Sequence, residues 1–296
     1  MTSAENRGRV LPMLLTALAA AAWLNAAFAA EDPKTGGPYV PTPQVVVDQM
    51  LRFANVNEKD FVIDLGSGDG VIVLTAAKKL NASGMGVDID ADLVRLSNNT
   101  AQKLGIAERV SFVQLDVFKA DLSKASVLTL YLLPAMMVDL RSKIFNELTP
   151  GARIVSHDYH FGSQWTPDDQ ISFDVPEKES VTGVPKATIY LWHVPAKIAG
   201  KWEIRTTAGE TYELTLKQHY QRIEGSVTAG RKTLQAQQIS LRGNELSFAL
   251  PDGKGDTRFS GRVKGDAMEG VLESPGARPA ARWSALRTAT GTVDID

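Results

Sequence analysis

The 296-residue chain contains no cysteine. This absence excludes disulfides, thiolate nucleophiles and cysteine metal sites, and it suits a protein that enters an oxidising compartment. The four histidines show no metal-ligand spacing, so we predict no metal site. Lysine and arginine (32) do not outnumber aspartate and glutamate (34). We therefore expect no general nucleic-acid binding, because neutralising phosphates requires an excess of positive charge.

Long apolar runs are also scarce, and the exception occupies residues 10–28. Two arginines precede this run, and the small-residue sequence Ala-Phe-Ala at 27–29 ends it, which is the pattern of a cleaved export signal. The run is also long enough to approach a membrane span. We therefore expect residues 1–29 to be an export signal that leads to the periplasm, or an anchor that brings the chain to a membrane. If the segment is an anchor, the rest of the chain could also lie at the cytoplasmic face of the membrane.

The remaining chain divides by its pattern of strands and helices. Residues 30–43 are rich in proline and glycine and predict a linker or lid, since proline fixes φ and lacks a donor. Strands alternate with helices over 44–195, which predicts an α/β, doubly wound Rossmann-like sheet that ends in an antiparallel hairpin without a helix. About eight short alternating runs over 200–288 predict an all-β meander, closed as a small barrel or sandwich. Residues 289–296 are expected to form a flexible tail.

The first predicted strand runs into the sequence Asp-Leu-Gly-Ser-Gly-Asp-Gly at 64–70 and then into a helix. The glycines allow close approach of a ligand to the backbone. A dinucleotide-binding loop would have another glycine at position 71, where Val71 stands instead. The two carboxylates of the loop would repel a pyrophosphate but attract the amino group of a methionine moiety, which favours S-adenosyl-L-methionine. The candidate contacts in the loop are Asp64, Gly66, Ser67, Gly68, Asp69 and Gly70.

The second and third predicted strands each end on an acid. Asp88 is placed to accept the ribose hydroxyls, and Asp116 to accept the adenine amino group, with a turn residue as the alternative interpretation of Asp116. Asp90 is interpreted as the cap of the following helix. Ligands of open α/β sheets bind at the carboxyl ends of the strands, so these tips are expected to form one nucleoside pocket. Its apolar candidates are Ile89, Val117 and Leu132.

Four segments together resemble the class I, seven-strand methyltransferases, in the branch that includes mitochondrial lysine methyltransferases of the ATP synthase c-subunit. They are Pro-Tyr-Val-Pro-Thr-Pro at 38–43, the glycine loop at 64–70, Thr-Leu-Tyr-Leu-Leu-Pro at 129–134 and Gly-Ala-Arg-Ile-Val-Ser-His at 151–157. The similarity covers about residues 39–194. It implies a seven-strand fold, S-adenosylmethionine as cofactor, a protein lysine as acceptor, and a lid in which Tyr39 and Thr42 cover the methionine end.

Two residues are candidates for handling the acceptor. Methyl transfer is an in-line displacement, and an attacking amine must be neutral. Tyr131 ends the fourth predicted strand, where it could orient an amine, or it could be a packed aromatic. His157 ends the fifth strand and is a candidate general base, or a hydrogen-bonded structural histidine.

Two other functions remain open from the sequence. The export segment suggests an exported binding or scaffold protein that retains a relic methyltransferase domain. The glycine loop allows an NAD-dependent oxidoreductase, although Val71 stands where such an enzyme needs glycine.

Overall fold

The computed structural model describes residues 37, 39–251, 255–274, 276 and 281–295. The predicted export segment at 1–29 and most of the predicted linker at 30–43 lie outside these residues. Among the helices that are described, none combines the length and the apolar character that crossing a membrane requires.

A seven-stranded sheet forms the first part of the fold, which confirms the predicted Rossmann-like architecture. Its strands follow the order β3-β2-β1-β4-β5-β7-β6, and β7 runs antiparallel to both neighbours. The predicted hairpin is therefore present, with β7 inside the sheet and β6 at the edge. The strands are β1 (Phe61–Leu65), β2 (Ser83–Asp88), β3 (Val110–Gln114), β4 (Val127–Leu130), β5 (Arg153–His157), β6 (Asp169–Asp174) and β7 (Lys186–His193).

Helices connect these strands: α1 (Gln44–Phe53), α2 (Val71–Leu80), α3 (Ala91–Lys103), α4 (Pro134–Glu147) and α5 (Glu179–Thr182). The carboxylate of Asp90 accepts the backbone N–H groups of Asp92 and Leu93, which confirms its predicted role as the cap of α3. Pro134 starts α4, where a missing N–H costs no helical hydrogen bond. The expectation that no helix separates β6 from β7 was wrong. A 3-10 turn and the four-residue α5 lie there, and they are too short for a helical periodicity to show.

The second sheet is antiparallel and nearly closed. Its order is β11-β10-β9-β8-β16-β15-β14-β13-β12, and the two end strands β11 and β12 follow each other in the chain. Between them, the backbone N–H of Ala236 donates to Gly225 O of β10 (2.9 Å). The expected meander is confirmed, with the additional short strands β11 and β17. The strands are β8 (Gly200–Thr206), β9 (Thr211–His219), β10 (Arg222–Ala229), β11 (Lys232–Gln235), β12 (Gln237–Arg242), β13 (Glu245–Pro251), β14 (Asp256–Lys264), β15 (Ala267–Glu273), β16 (Ala281–Thr290) and β17 (Val293–Asp294).

The interior of the second sheet is filled with side chains. Phe248 and Phe259 stack with their ring centroids 4.7 Å apart, and Trp283 packs against both rings. Small barrels are commonly filled in this way rather than hollow. The segment 289–296 was expected to be a loose tail, but β17 pairs with β9 and Ile295 O accepts a hydrogen bond from a tyrosine hydroxyl.

That tyrosine, Tyr220, joins the second sheet to the core of the first. It lies in the turn between β9 and β10, and its ring stacks on Trp165 with centroids 4.7 Å apart. Phe145 of α4 meets the same ring edge-on at 5.2 Å. Next to this contact, Arg222 donates to Gln164 O (2.9 Å). The β9–β10 turn of the second sheet is therefore packed directly onto α4 and the connection between β5 and β6.

Candidate functional site

The glycine loop after β1 has a backbone that only glycine adopts readily. Gly66, Gly68 and Gly70 have φ values of +75°, +53° and +81°. A Cβ atom at Gly66 would lie 2.6 Å from the side chain of Leu132, and one at Gly68 would lie 2.5 Å from the ring of Tyr39. The predicted lid residue Tyr39 and the predicted apolar contact Leu132 therefore both lie directly on the loop.

Asp88 holds the loop to the end of β2. Its carboxylate accepts the N–H of Gly68 (2.7 Å) and the N–H of Asp90 (2.9 Å). The N–H groups of Gly66 and Ser67 both donate to Val87 O. Each carboxylate oxygen can accept a further bond, so Asp88 retains the capacity for the predicted ribose contact.

Asp64 is a buried carboxylate at the base of the loop, with only 2% of its surface exposed. The hydroxyl of Thr129 on β4 donates to its Oδ1 atom at 2.6 Å. Burial raises the pKa of Asp64 from 3.8 to about 7; the Thr129 hydrogen bond opposes the rise, and the charges of Asp88 and Asp69 add to it. Within the described part of the chain no lysine, arginine or histidine pairs with this carboxylate. The site therefore presents negative charge that a cationic ligand would neutralise.

Tyr39 covers the second acid of the loop. Its hydroxyl forms a hydrogen bond with Asp69, and burial together with the charge of Asp69 holds the pKa of Tyr39 above its usual range. Asp69 Oδ1 also accepts the N–H of Val71 (3.1 Å) at the start of α2. About half of the Tyr39 surface is exposed, and Thr42 lies half-buried three residues further along. The predicted lid is thus attached to the loop through one side chain that remains open to solvent.

The tips of β2 and β3 lie side by side, since Asp88 pairs in register with Gln114. Asp116 accepts the N–H of Phe118 (3.0 Å), which is the geometry of its alternative interpretation as a turn residue. Ile89 is exposed, as a base-stacking residue would have to be. Val117, a predicted apolar contact of the nucleoside, is instead buried and packs in the core of the first sheet.

Tyr131 and His157 lie in contact at the ends of β4 and β5, with ring centroids 4.1 Å apart. Burial raises the pKa of Tyr131 to about 12, with smaller effects from Asp158 and Tyr159. His157 is fully buried, and its pKa falls to about 4, mainly because burial disfavours the charged imidazole. His157 is therefore neutral, and its burial does not favour direct proton transfer from an amine in solvent. This geometry therefore favours the interpretation of His157 as a structural histidine over its role as a general base.

Three residues next to this pair, Lys178, Asp158 and Tyr159, carry no signal in the sequence. Lys178 is buried, and its ammonium group contacts the Asp158 carboxylate, Lys186 O (2.8 Å) and His157 Nε2 (3.2 Å). The ring of Tyr159 lies over Tyr131. Lys178 reaches β5 from the connection between β6 and β7, about 20 residues away, so no local spacing predicts the cluster.

Comparison with known proteins locates the similarity in the first sheet. Residues 64–169 match the family model of the ANTKMT methyltransferase domain. A protein-lysine N-methyltransferase of Saccharolobus islandicus is 38% identical over 156 residues, which are 52% of this chain and 92% of that protein. The lysine N-methyltransferase of the ATP synthase c-subunit from Homo sapiens is 30% identical over 44% of this chain, which spans about half (55%) of the human protein.

Among solved structures, an RNA methyltransferase of Salinibacter ruber in complex with S-adenosyl-L-homocysteine is 45% identical. The match covers 54% of this chain and 96% of that one, with a TM-score of 0.49.

Proposed function

This chain belongs to the family of methyltransferases that includes the protein-lysine N-methyltransferase of Saccharolobus islandicus, and we propose that it transfers a methyl group from S-adenosylmethionine to a protein lysine. The observation that carries the cofactor assignment is Asp64, a buried carboxylate with no described cationic partner. Burying an unpaired charge is costly, and a cationic ligand would offset that cost. The amino group and sulfonium of S-adenosylmethionine supply such charge.

The residues around the loop fit the other parts of this cofactor. Asp88, at the tip of β2, would hold the ribose, and the exposed Ile89 together with Asp116 would meet the adenine. Tyr39 would cover the methionine end from its position on Gly68. S-adenosylmethionine supplies an already activated methyl group, so the protein contributes binding, orientation and a dry pocket.

The acceptor amine would approach at the ends of β4 and β5. Tyr131 stays protonated, since its pKa is about 12, so it can donate a hydrogen bond but cannot take a proton from a lysine near neutral pH. His157 is neutral and buried. We therefore propose that the lysine loses its proton to water as it is desolvated, rather than to a residue of this pair.

The charge of the loop also weighs against a nicotinamide cofactor. A pyrophosphate would lie against Asp64, Asp69 and Asp88, and the cost of placing a diphosphate beside three carboxylates would weaken binding. A binding or scaffold protein with a relic methyltransferase domain would not require the conformation of the glycine loop or the buried carboxylate. Neither alternative accounts for Asp64.

Methylation of a cell extract tests this proposal. The extract of the source cell is incubated with the purified protein and S-adenosylmethionine carrying a radioactive methyl group. Labelled proteins are then located on a gel and mapped by mass spectrometry. We expect at least one labelled protein with the methyl groups on lysine. The Asp64→Asn variant, which has the same size and a neutral side chain, should give far less label.

Other labelling patterns would contradict the proposal. Label that enters RNA, or protein residues other than lysine, would assign a different acceptor. Equal labelling by wild type and Asp64→Asn would show that the buried carboxylate does not hold the cofactor.

A further inference from the structure

The chain makes a strained three-residue turn directly after β5. The N–H of Tyr159 donates to His157 O (2.7 Å), and Asp158 between them has a φ of +60°. A residue with a side chain reaches this region at a cost, and turns of this hand are rare. Strained residues persist where the surrounding structure over-determines them, and they cluster at functional sites.

Contacts from β7 and from the connection before it hold this turn. Asp158 N–H donates to Thr188 O (2.7 Å), and Asp158 Oδ1 accepts Thr188 N–H (3.0 Å). Asp158 Oδ2 accepts the buried ammonium of Lys178, which also donates to Lys186 O. Removing one partner of a buried ion pair leaves an uncompensated charge. Lys178 and Asp158 therefore stabilise the turn as a unit.

The turn places the ring of Tyr159 over the ring of Tyr131. Their centroids lie 6.2 Å apart at an interplanar angle of 17°, and His157 supports Tyr131 from a second contact at 4.1 Å. Tyr159 is 37% exposed and Tyr131 is half-buried, so the pair can be reached from solvent. Tyr131 is followed by Leu132, whose side chain lies against Gly66 of the glycine loop. The aromatic pair therefore lies next to the glycine loop.

We propose that Tyr159 and Tyr131 form an aromatic wall that receives the acceptor lysine, and that Lys178, through Asp158, is the positioning residue that holds Tyr159 in place. Tyrosine rings attract an ammonium group through their π-electrons. A hydrogen-bond acceptor loses its partner when methyl groups replace the protons of the ammonium group. An aromatic wall still attracts the methylated group, because its positive charge remains. The inference rests on the proposed function, because it requires a lysine acceptor.

A titration followed by NMR tests the wall directly. The full-length protein, labelled with ¹³C on its tyrosine rings and saturated with S-adenosylhomocysteine, is titrated with Nα-acetyl-lysine methyl ester. The uncharged Nα-acetyl-norleucine methyl ester is the control ligand. We expect saturable shifts of the Tyr131 and Tyr159 resonances with the lysine ester, and clearly weaker binding of the norleucine ester.

The variants separate the wall from the general fold. Tyr159→Leu should weaken binding of the lysine ester about two- to fivefold, while Tyr159→Phe keeps the ring and most of the affinity. Tyr212→Leu, a matched change of a half-buried tyrosine in the second sheet, should have no effect. The affinity for S-adenosylhomocysteine should stay unchanged in all of them.

Lys178→Met tests the positioning role. It should weaken binding of the lysine ester as much as Tyr159→Leu does, and the double variant should bind no worse than either single one, because both changes remove the same contact. Asp158→Asn provides the second test of this link if Lys178→Met fails to fold.

Two outcomes overturn the inference. One is unchanged binding of the lysine ester in Tyr159→Leu, and the other is the absence of any saturable tyrosine shift in the S-adenosylhomocysteine complex. Either result leaves the proposed function standing if the extract is still methylated on lysine. Additive losses in the Lys178→Met, Tyr159→Leu double variant would overturn the positioning role alone.

Discussion

Replacement of Asp64 by asparagine is expected to stabilise the ligand-free protein at neutral and alkaline pH. The pKa of this carboxyl is 3.8 when unperturbed and about 7 in the folded chain, where burial is the main cause. Between these values the folded state binds more protons than the unfolded state, so stability falls as pH rises from about 4 to about 7 and then levels off. Since one pKa unit corresponds to about 1.36 kcal/mol, the full loss is about 4 kcal/mol.

Asparagine removes this loss with little other change. It has the same size, and its side-chain oxygen can still accept the hydroxyl of Thr129. The free energy of unfolding of Asp64→Asn should exceed that of the wild type by about 2 kcal/mol at pH 5 and by about 4 kcal/mol at pH 8.

Urea denaturation of the ligand-free protein at the two pH values measures both differences. Asp139→Asn is the matched control, because this carboxylate is exposed on α4 and the same chemical change there should leave stability within about 0.5 kcal/mol. A variant that is no more stable than wild type at pH 8 would refute the reasoning. So would an advantage that does not grow with pH.

Two further substitutions follow from the packing. Gly68→Ala should weaken S-adenosylmethionine binding in calorimetry, because its Cβ would lie 2.5 Å from the ring of Tyr39 and displace that ring. Gly105→Ala is the control: its φ of +68° is also left-handed, a Cβ there meets nothing within 4 Å, and it should bind normally. Tyr220→Ala should lower the free energy of unfolding by about 3–5 kcal/mol through loss of a fully buried aromatic ring, measured by denaturation. Tyr212→Ala, with a half-buried ring, should cost clearly less; equal losses would contradict the joining role of Tyr220.

The parts of the fold that could be predicted from the sequence are those with a local pattern. Strands β1, β4 and β5 contain runs of apolar residues, β2 ends on the acid Asp88, and Asp90 stands immediately before a helix that needs a cap. The glycine loop is recognisable because its backbone excludes other residues at three positions. The resemblance to seven-strand methyltransferases added the acceptor class, which no local pattern contains.

The remaining features depend on contacts between distant residues. The raised pKa of Asp64 requires its burial beside Thr129, which is 65 residues away. The turn at Asp158 depends on Lys178, which looks like an ordinary surface lysine in the sequence because acidic and polar residues surround it. His157 stood out as a possible base because of its position at the end of a strand. Only its packing against Tyr131 and Lys178 reveals that it is buried and neutral.

Calorimetric titration with S-adenosylmethionine tests most directly the claim that Asp64 holds a cationic cofactor. The wild type and Asp64→Asn are titrated at pH 6, 7 and 8, in buffers with different ionisation enthalpies. We predict a single site whose affinity rises from pH 6 to pH 7 and does not rise further at pH 8, where the amino group of the ligand begins to lose its own proton. A proton should be released on binding at pH 6, because the ligand requires the ionised carboxylate. Asp64→Asn should bind far more weakly and release no proton. Binding that is independent of pH, or equally strong in the variant, would contradict the claim.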